Sequence, residues 1–195
     1  MTESLADAEP IVLRPAMRPD MDSVTGIYAH AVRHGAASYE IEPPSRVDMA
    51  VRFATSQKAG YPWLVAEQAG RVVGYACANP FRPRPAYRFI VEDSVYVAPD
   101  RQGQGLGRRL LQQLVAEVEA LGFRQVIAVI GDGAPDNPSV RLHAALGFRH
   151  CGTLEGSGFK HGRWLDTVLM QLSLNGGSTV PPDPDSLPER NLRKP

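Results

Sequence analysis

The chain has 195 residues, which is long enough for one domain with a sizeable hydrophobic core. Its 21 basic and 21 acidic residues give a formal net charge of +0, which argues against a nucleic-acid-binding protein that depends on bulk positive charge. Its two cysteines, Cys77 and Cys151, supply neither a disulfide framework nor a four-thiolate metal site.

Residues 1–10 are predicted to form a flexible N-terminus. These residues are acidic and lack the basic and apolar regions of a signal peptide, and no later apolar run approaches the length of a membrane span. We therefore expect a soluble, cytoplasmic protein without membrane contact.

A short strand at residues 11–16 and two helices are predicted next. In the first helix, apolar residues recur at helical spacing, and Asp20 or Asp22 is placed to cap the helix. In the second helix, Ser45 is the predicted N-cap after a Pro-Pro break, and the helix runs to about Lys58. The apolar stripe of the first helix consists of Val24, Ile27, Tyr28, Ala31 and Val32.

Strands are predicted in the middle of the chain. Residues 63–66 and 71–77 flank a short turn and form a hairpin. Residues 79–85 are predicted to be a loop, because their three prolines disrupt both a helix and a central strand. A strand from about residue 87 to residue 97 follows.

The second half alternates helices and strands before a polar tail. Gly122 is the predicted end of a strongly apolar helix. The order of elements predicts one α+β domain at residues 11–175, with a mixed sheet and helices on both faces. Residues 176–195, rich in Gly, Pro and charge, are predicted to be a disordered tail. The predicted elements are helices at 106–121 and 138–146 and strands at 125–130, 148–156 and 164–174.

The segment from Arg101 to Arg109 (RQGQGLGRR) is the most informative part of the chain. It connects a predicted strand to a predicted helix through three glycines, which allow close approach of a ligand to the backbone. The unpaired N–H groups at the start of the helix, together with the helix dipole, favour a phosphate or pyrophosphate. The pattern lacks the Gly-Lys-Ser/Thr of a phosphate-binding loop and the spacing of a dinucleotide fingerprint. A turn that serves backbone geometry alone is the alternative, but Arg108 and Arg109 in the first helical turn favour an anionic partner.

The stretch from Gln102 to Gly107, after the strand at residues 95–97, resembles the acetyl-CoA signature of the Gcn5-related N-acetyltransferase (GNAT) superfamily. The closer resemblance is to the phosphinothricin N-acetyltransferases, and it covers roughly residues 11–171. It implies a GNAT-like, largely antiparallel sheet with a splayed central strand, acetyl-CoA as co-substrate without a metal, and a homodimer. The other segments that carry the resemblance are residues 61–67, 128–131, 138–147 and 158–164.

The resemblance also implies how acetyl-CoA binds. Its pyrophosphate is expected on the amides of the glycine turn, and its pantetheine arm is expected to pair with the splayed strand. Where relatives carry an Asn three residues before Ser139, this chain has Asp136, with Asn137 beside it. Both are candidate coenzyme contacts, although an anionic side chain weakens that expectation for Asp136. The other expected contacts are Val95, Tyr96, Val97, Gln102, Gly103, Gln104, Gly105, Leu106, Gly107 and Arg108.

Two residues are candidates for acid–base catalysis. Acetyl transfer needs a neutral amine, and Glu92 occupies the position of the family's catalytic carboxylate on the strand that leads into the coenzyme site. Strand alternation places Glu92 and Ser94 on one face and Asp93 on the other. His143 stands where many relatives carry a Tyr as general acid, so either His143 or solvent would supply the proton to the departing thiolate. A solvated strand charge and a structural histidine are the alternatives.

The predicted acceptor site is basic. Arg82, Arg84 and Tyr87 match the family's basic-x-basic-x-x-Tyr run, and an Arg fork fits the carboxylate and phosphinate of phosphinothricin. Tyr39 is a candidate wall of this pocket. A second basic and aromatic cluster, residues 160–164, is either a solvated hairpin turn or part of an interface or substrate site.

We therefore expect an N-acetyltransferase that acts on the α-amino group of phosphinothricin or a similar small anionic amino acid. Direct attack in a ternary complex is the expected route. The first alternative keeps the chemistry and changes the acceptor to methionine sulfone, methionine sulfoximine or another metabolite amine. A non-catalytic acyl-CoA-binding module and a protein-tail acetyltransferase are further alternatives.

Overall fold

The computed structural model describes residues 9–134 and 136–193, so most of the predicted flexible N-terminus lies outside the described residues. Seven strands form one sheet in the order β1-β2-β3-β4-β5-β7-β6. The strands are β1 (Val12–Pro15), β2 (Trp63–Gln68), β3 (Arg71–Pro80), β4 (Ile90–Val97), β5 (Gln125–Gly131), β6 (Arg149–Lys160) and β7 (Arg163–Ser173). The helices are α1 (Met21–His34), α2 (Arg46–Ala59), α3 (Leu106–Ala120), α4 (Pro138–Ala145) and α5 (Leu187–Leu192).

The sheet is largely antiparallel, and its one parallel pairing among the described strands joins β4 to β5. α1 and α2 pack on one face, where Val24, Phe53 and Trp63 belong to one buried cluster. α3 and α4 pack on the other face, where Leu110 and Leu111 are fully buried against β2, β3 and β4. The predicted α+β architecture with helices on both faces is confirmed. No helix among the described residues is long and apolar enough to cross a bilayer.

The ends of the helices follow the sequence with one exception. Ser45 caps α2 as predicted, because its hydroxyl accepts from the Asp48 amide at 3.1 Å. Gly122 adopts φ 85° after α3 and ends that helix. Asp20 precedes α1 but does not cap it, since its carboxylate instead binds the Arg14 guanidinium at 2.7 and 2.8 Å.

The proline-rich segment between β3 and β4 is shifted by about three residues relative to the prediction. β3 continues through Asn79 to Pro80, and β4 begins at Ile90, about three residues later than expected. A short 3-10 turn, Pro85–Tyr87, lies within this segment. Pro80 is the last residue of β3, so it ends the strand without disturbing its interior.

The prediction of a disordered tail is wrong for its final part. α5 forms near the end of the chain, and Leu187 joins the main hydrophobic core with 7% of its surface exposed. The Leu187 amide donates to the carbonyl of Leu121 at 2.9 Å. One well-placed leucine thus anchors a segment whose overall composition is typical of disorder.

Candidate active site

A split in the sheet lies between β4 and β5. These strands pair over residues 90–92 and 125–127, after which β4 continues to Val97 and β5 continues to Gly131 without mutual pairing among the described residues. The predicted splayed central strand is therefore confirmed. Backbone groups of β4 beyond Glu92 face the split and are available to an extended, amide-bearing ligand.

The glycine turn closes the split at its far end. Gly103 and Gly105 have φ values of 73° and 75°, and a Cβ at either position would meet open space. Gly105 is the N-cap of α3 and provides no side-chain cap for the first N–H groups of the helix. Gln102 lies beside this terminus and donates from Nε2 to the carbonyl of Val97 at 3.2 Å. These exposed amides form a cradle that fits a pyrophosphate.

Glu92 lies at the start of the split, on the face of the sheet that carries α1 and α2. The side chain is half-buried, and burial together with the adjacent charge of Asp93 raises the pKa of its carboxyl. The guanidinium of Arg82 partly opposes this change in pKa. A carboxylate with a raised pKa and access to a ligand is suited to accept a proton near neutral pH.

A cavity of about 450 Å³ opens on the same face as Glu92. Ser94 and Tyr96 line it, and strand alternation places their side chains on the same side of β4 as Glu92. Tyr75 stacks between two aromatic rings, with centroid distances of 6.0 Å to Trp63 and 5.4 Å to Tyr96. The cavity is thus lined in part by aromatic rings, with hydroxyl groups at several points. Other lining residues include Tyr28, Met49, Arg52, Cys77 and Asn79.

The basic loop, defined here as residues 81–89, lies between the ends of β3 and β4. Arg82, Arg84 and Tyr87 are all exposed in it, so the arginines are accessible to an anionic ligand. The Arg82 guanidinium lies 5.0 Å from the centroid of the Phe81 ring. The structure therefore brings the predicted acceptor arginines to the same end of β4 as Glu92.

Tyr39 contacts residues of β5, β6 and β7. Its hydroxyl donates to the carbonyl of Asp166 at 2.9 Å and accepts from Thr167 at 3.0 Å. Its ring fills a slot between Gly131 and Gly158, where a Cβ would lie 2.6 Å and 2.5 Å from the ring. The tyrosine consequently connects the loop after α1 to the ends of β5, β6 and β7, and its role as a pocket wall stays a prediction.

His143 lies on the opposite face of β4 from Glu92, where 3% of its surface is exposed. Its Nε2 is 3.0 Å from Oδ2 of Asp93, and its Nδ1 is 2.7 Å from the carbonyl oxygen of Ser139. Both of these oxygens can accept a hydrogen bond, so the arrangement favours the protonated ring, in which both nitrogens donate. Burial opposes the charge, but the carboxylate of Asp93 and the Ser139 carbonyl outweigh it and raise the pKa of His143.

The two candidate coenzyme contacts before α4 differ in their surroundings. The Asn137 side chain accepts from the Ser139 amide at 2.7 Å and donates to the Asp132 carbonyl at 2.9 Å. It is therefore the N-cap of α4 and fixes the turn before it. Asp136 is exposed.

Sequence reasoning missed Asp93 as the partner of His143. The two residues are 50 positions apart, and alternation indicated no more than that Asp93 faces away from Glu92. Oδ1 of Asp93 is buried without a hydrogen-bond partner among the described residues, so the carboxylate meets the imidazolium through one oxygen.

Comparisons with known proteins identify the family of the chain. Residues 28–148 match the model of the acetyltransferase (GNAT) family. A phosphinothricin N-acetyltransferase from Alcaligenes faecalis is 52% identical over 164 residues, which cover 84% of this chain and 83% of that protein. An L-methionine sulfoximine/L-methionine sulfone acetyltransferase from Salmonella typhimurium is 39% identical over 85% of this chain and 95% of its own length.

A solved structure is similar over nearly the whole fold. It is a GNAT superfamily phosphinothricin acetyltransferase from Sinorhizobium meliloti in complex with acetyl-CoA, and it superposes with a TM-score of 0.90. The identity is 48%, and the match covers 94% of this chain and 99% of that one.

Proposed function

Because the chain belongs to the GNAT family of acetyltransferases, we propose that it transfers an acetyl group from acetyl-CoA to the α-amino group of phosphinothricin or a similar small anionic amino acid. Family membership makes it an acetyl-CoA-dependent acyltransferase. The observation that carries the proposal is the position of Glu92, half-buried beside the split in the sheet, with the basic loop next to it.

The residues around the split fit acetyl-CoA. The amides from Gly103 to Arg108 would hold the pyrophosphate, and β4 from Val95 to Val97 would pair with the pantetheine arm. The thioester that acetyl-CoA supplies is an activated acyl donor. A backbone N–H of β4 facing the split would polarise its carbonyl and stabilise the charge that develops there.

Glu92 is proposed as the general base. The acceptor amine is mostly protonated at neutral pH, and a carboxylate with a raised pKa removes its proton directly or through water. Arg82 and Arg84 would bind the acceptor's carboxylate and phosphinate from the exposed loop. We propose solvent as the proton source for the departing thiolate, because Asp93 and the Ser139 carbonyl occupy both nitrogens of His143.

Methionine sulfone or sulfoximine is the second candidate acceptor. It is favoured by the similarity to the Salmonella enzyme and by the aromatic lining of the cavity, which suits a less charged side chain. The two candidates predict different rankings of kcat/KM.

The acceptor is tested by measuring kcat/KM for phosphinothricin, methionine sulfone and methionine sulfoximine under identical conditions. If the basic loop recognises two anionic groups, phosphinothricin is preferred by about tenfold or more. A higher kcat/KM for the sulfone would establish the second candidate. Tight acetyl-CoA binding without turnover of any amine would contradict both.

We also propose a homodimer. Leu154, Phe159 and Trp164 are 51%, 57% and 68% exposed on β6 and β7 at one edge of the sheet. Large apolar side chains grouped at a sheet edge are typical of a protein interface. A cytoplasmic location and the absence of nucleic-acid partners remain predictions.

A further inference from the structure

The C-terminal segment, residues 186–193, docks against the ends of two helices. Asn191 donates from Nδ2 to the carbonyl of Ala59 at 2.8 Å, at the end of α2. Leu187 bonds through its amide to Leu121, the C-cap residue of α3, and its side chain is buried in the main core. The segment is therefore held at several independent points.

Two glycines next to the segment leave space for it, because a side chain at either position would contact it. A Cβ at Gly122 would lie 2.5 Å from the Cβ of Ser186, and a Cβ at Gly60 would lie 3.1 Å from a methyl group of Leu187. Both glycines also have positive φ, at 85° and 81°, and end α3 and α2. The same two residues thus end the helices and admit the segment.

α5 also reaches the basic loop. Oε1 of Glu189 accepts from Nη2 of Arg88 at 2.7 Å and from Nε at 3.1 Å, and the two side chains are 20% and 29% exposed. Arg88 donates from Nη1 and from its amide to the carbonyl of Pro85, at 3.2 and 3.1 Å. Its guanidinium lies 4.4 Å from the centroid of the Phe89 ring. Arg88 therefore joins the 3-10 turn of the loop to α5.

We propose that Glu189 is a positioning residue for acceptor binding, which holds the basic loop through Arg88 in the conformation that presents Arg82 and Arg84. A loop with exposed side chains opens readily unless a contact restrains it. A loop ordered in advance loses less conformational entropy when it binds the acceptor, so affinity increases. The kinetic part of this inference rests on the proposed function, whereas the ordering of the loop does not.

Ordering of the loop is tested by hydrogen exchange of residues 81–90 in the full-length protein without any acceptor. In Glu189→Gln, exchange is expected to be about fivefold faster, because the amide cannot replace a partly buried charge-assisted pair. Asp22→Asn is the control, since it neutralises a carboxylate of α1 that pairs with Arg46 of α2. Unchanged exchange of the loop in Glu189→Gln would overturn the proposal.

Acceptor binding is tested by steady-state kinetics of the same variants. Glu189→Gln is expected to raise the KM of the acceptor about fivefold while leaving kcat and the KM of acetyl-CoA within about twofold. The exchanged pair Arg88→Glu with Glu189→Arg is expected to recover part of the loss. Equal increases in both KM values, or faster loop exchange with an unchanged acceptor KM, would overturn the positioning role. Failure of the wild type to acetylate any amino acid would instead contradict the proposed function, and the exchange result would stand.

Discussion

The two faces of β4 hold adjacent carboxylates in opposite environments. Glu92 lies on the face of the sheet where the cavity opens, is half-buried and has a raised pKa, because burial and the charge of Asp93 disfavour its ionised form. Asp93 is buried on the other face and contacts the imidazolium of His143 at 3.0 Å. Strand alternation separates the two groups by one residue in sequence and by the full thickness of the sheet. The carboxylate proposed to exchange a proton thus lies on one face of β4, while its neighbour is paired with a histidine on the other face.

His143 is expected to affect the stability of the fold, whereas Glu92 is expected to affect the reaction. His143 ties α4 to β4 through Asp93, so its protonation stabilises the fold on the coenzyme side. Among the residues that the structure describes, Glu92 forms no comparable ion pair, so its protonation state can respond to the acceptor. Substitution of Glu92 is therefore expected to change activity, and substitution of Asp93 on the other face is expected to change stability.

Glu92→Gln gives the largest expected effect. Loss of the base is expected to reduce kcat/KM by about 10²–10⁴-fold, with little change in the free energy of unfolding. In the wild type, kcat/KM should decrease as the pH falls through the raised pKa of Glu92, and this acidic limb should be absent from the variant. Glu67→Gln, which removes a carboxylate paired with Arg14 away from the site, is the control. Near-wild-type activity of Glu92→Gln across pH would exclude the base role.

Asp93→Asn is expected to affect stability. The raised pKa of folded His143 means that its stabilising contribution is fully present below the unfolded pKa and is lost as pH rises through the folded pKa. Removal of the carboxylate should therefore cost about 2–3 kcal/mol in acid, at about pH 5, and less in base. The free energy of unfolding, measured with urea at several pH values, checks this. An equal loss at all pH values would contradict a charged pair.

Arg82→Gln gives the smallest expected change in pH dependence, in addition to the weaker acceptor binding that it shares with Arg84→Gln. Its positive charge lowers the pKa of Glu92, so its removal should move the acidic limb of kcat/KM to higher pH by less than about one unit. Arg84→Gln is the matched variant, which is expected to weaken acceptor binding without moving that limb. A shift of the limb in both variants would indicate a general effect of loop charge.

The local parts of this molecule could be predicted from the sequence. The glycine turn, the cap at Ser45 and the face of Glu92 each depend on residues that are close in the chain. The Asp93–His143 pair joins residues 50 positions apart, and the bond from Leu187 to Leu121 joins residues 66 positions apart. The periodic spacing of residues in the sequence does not predict such long-range contacts. The prediction for the tail fails because its Gly and Pro content is typical of disorder, while the buried Leu187 and long-range contacts of Glu189 and Asn191 hold its final part in place.

The slot that holds Tyr39 limits how this enzyme could be engineered for new acceptors. Random libraries that include Gly131 or Gly158 would be enriched in misfolded variants, because any side chain there would collide with the tyrosine ring. Gly103 and Gly105 have space around them but a backbone conformation that other residues adopt with strain. A productive library would leave all four glycines fixed and place its diversity at Arg82, Arg84 and the cavity wall.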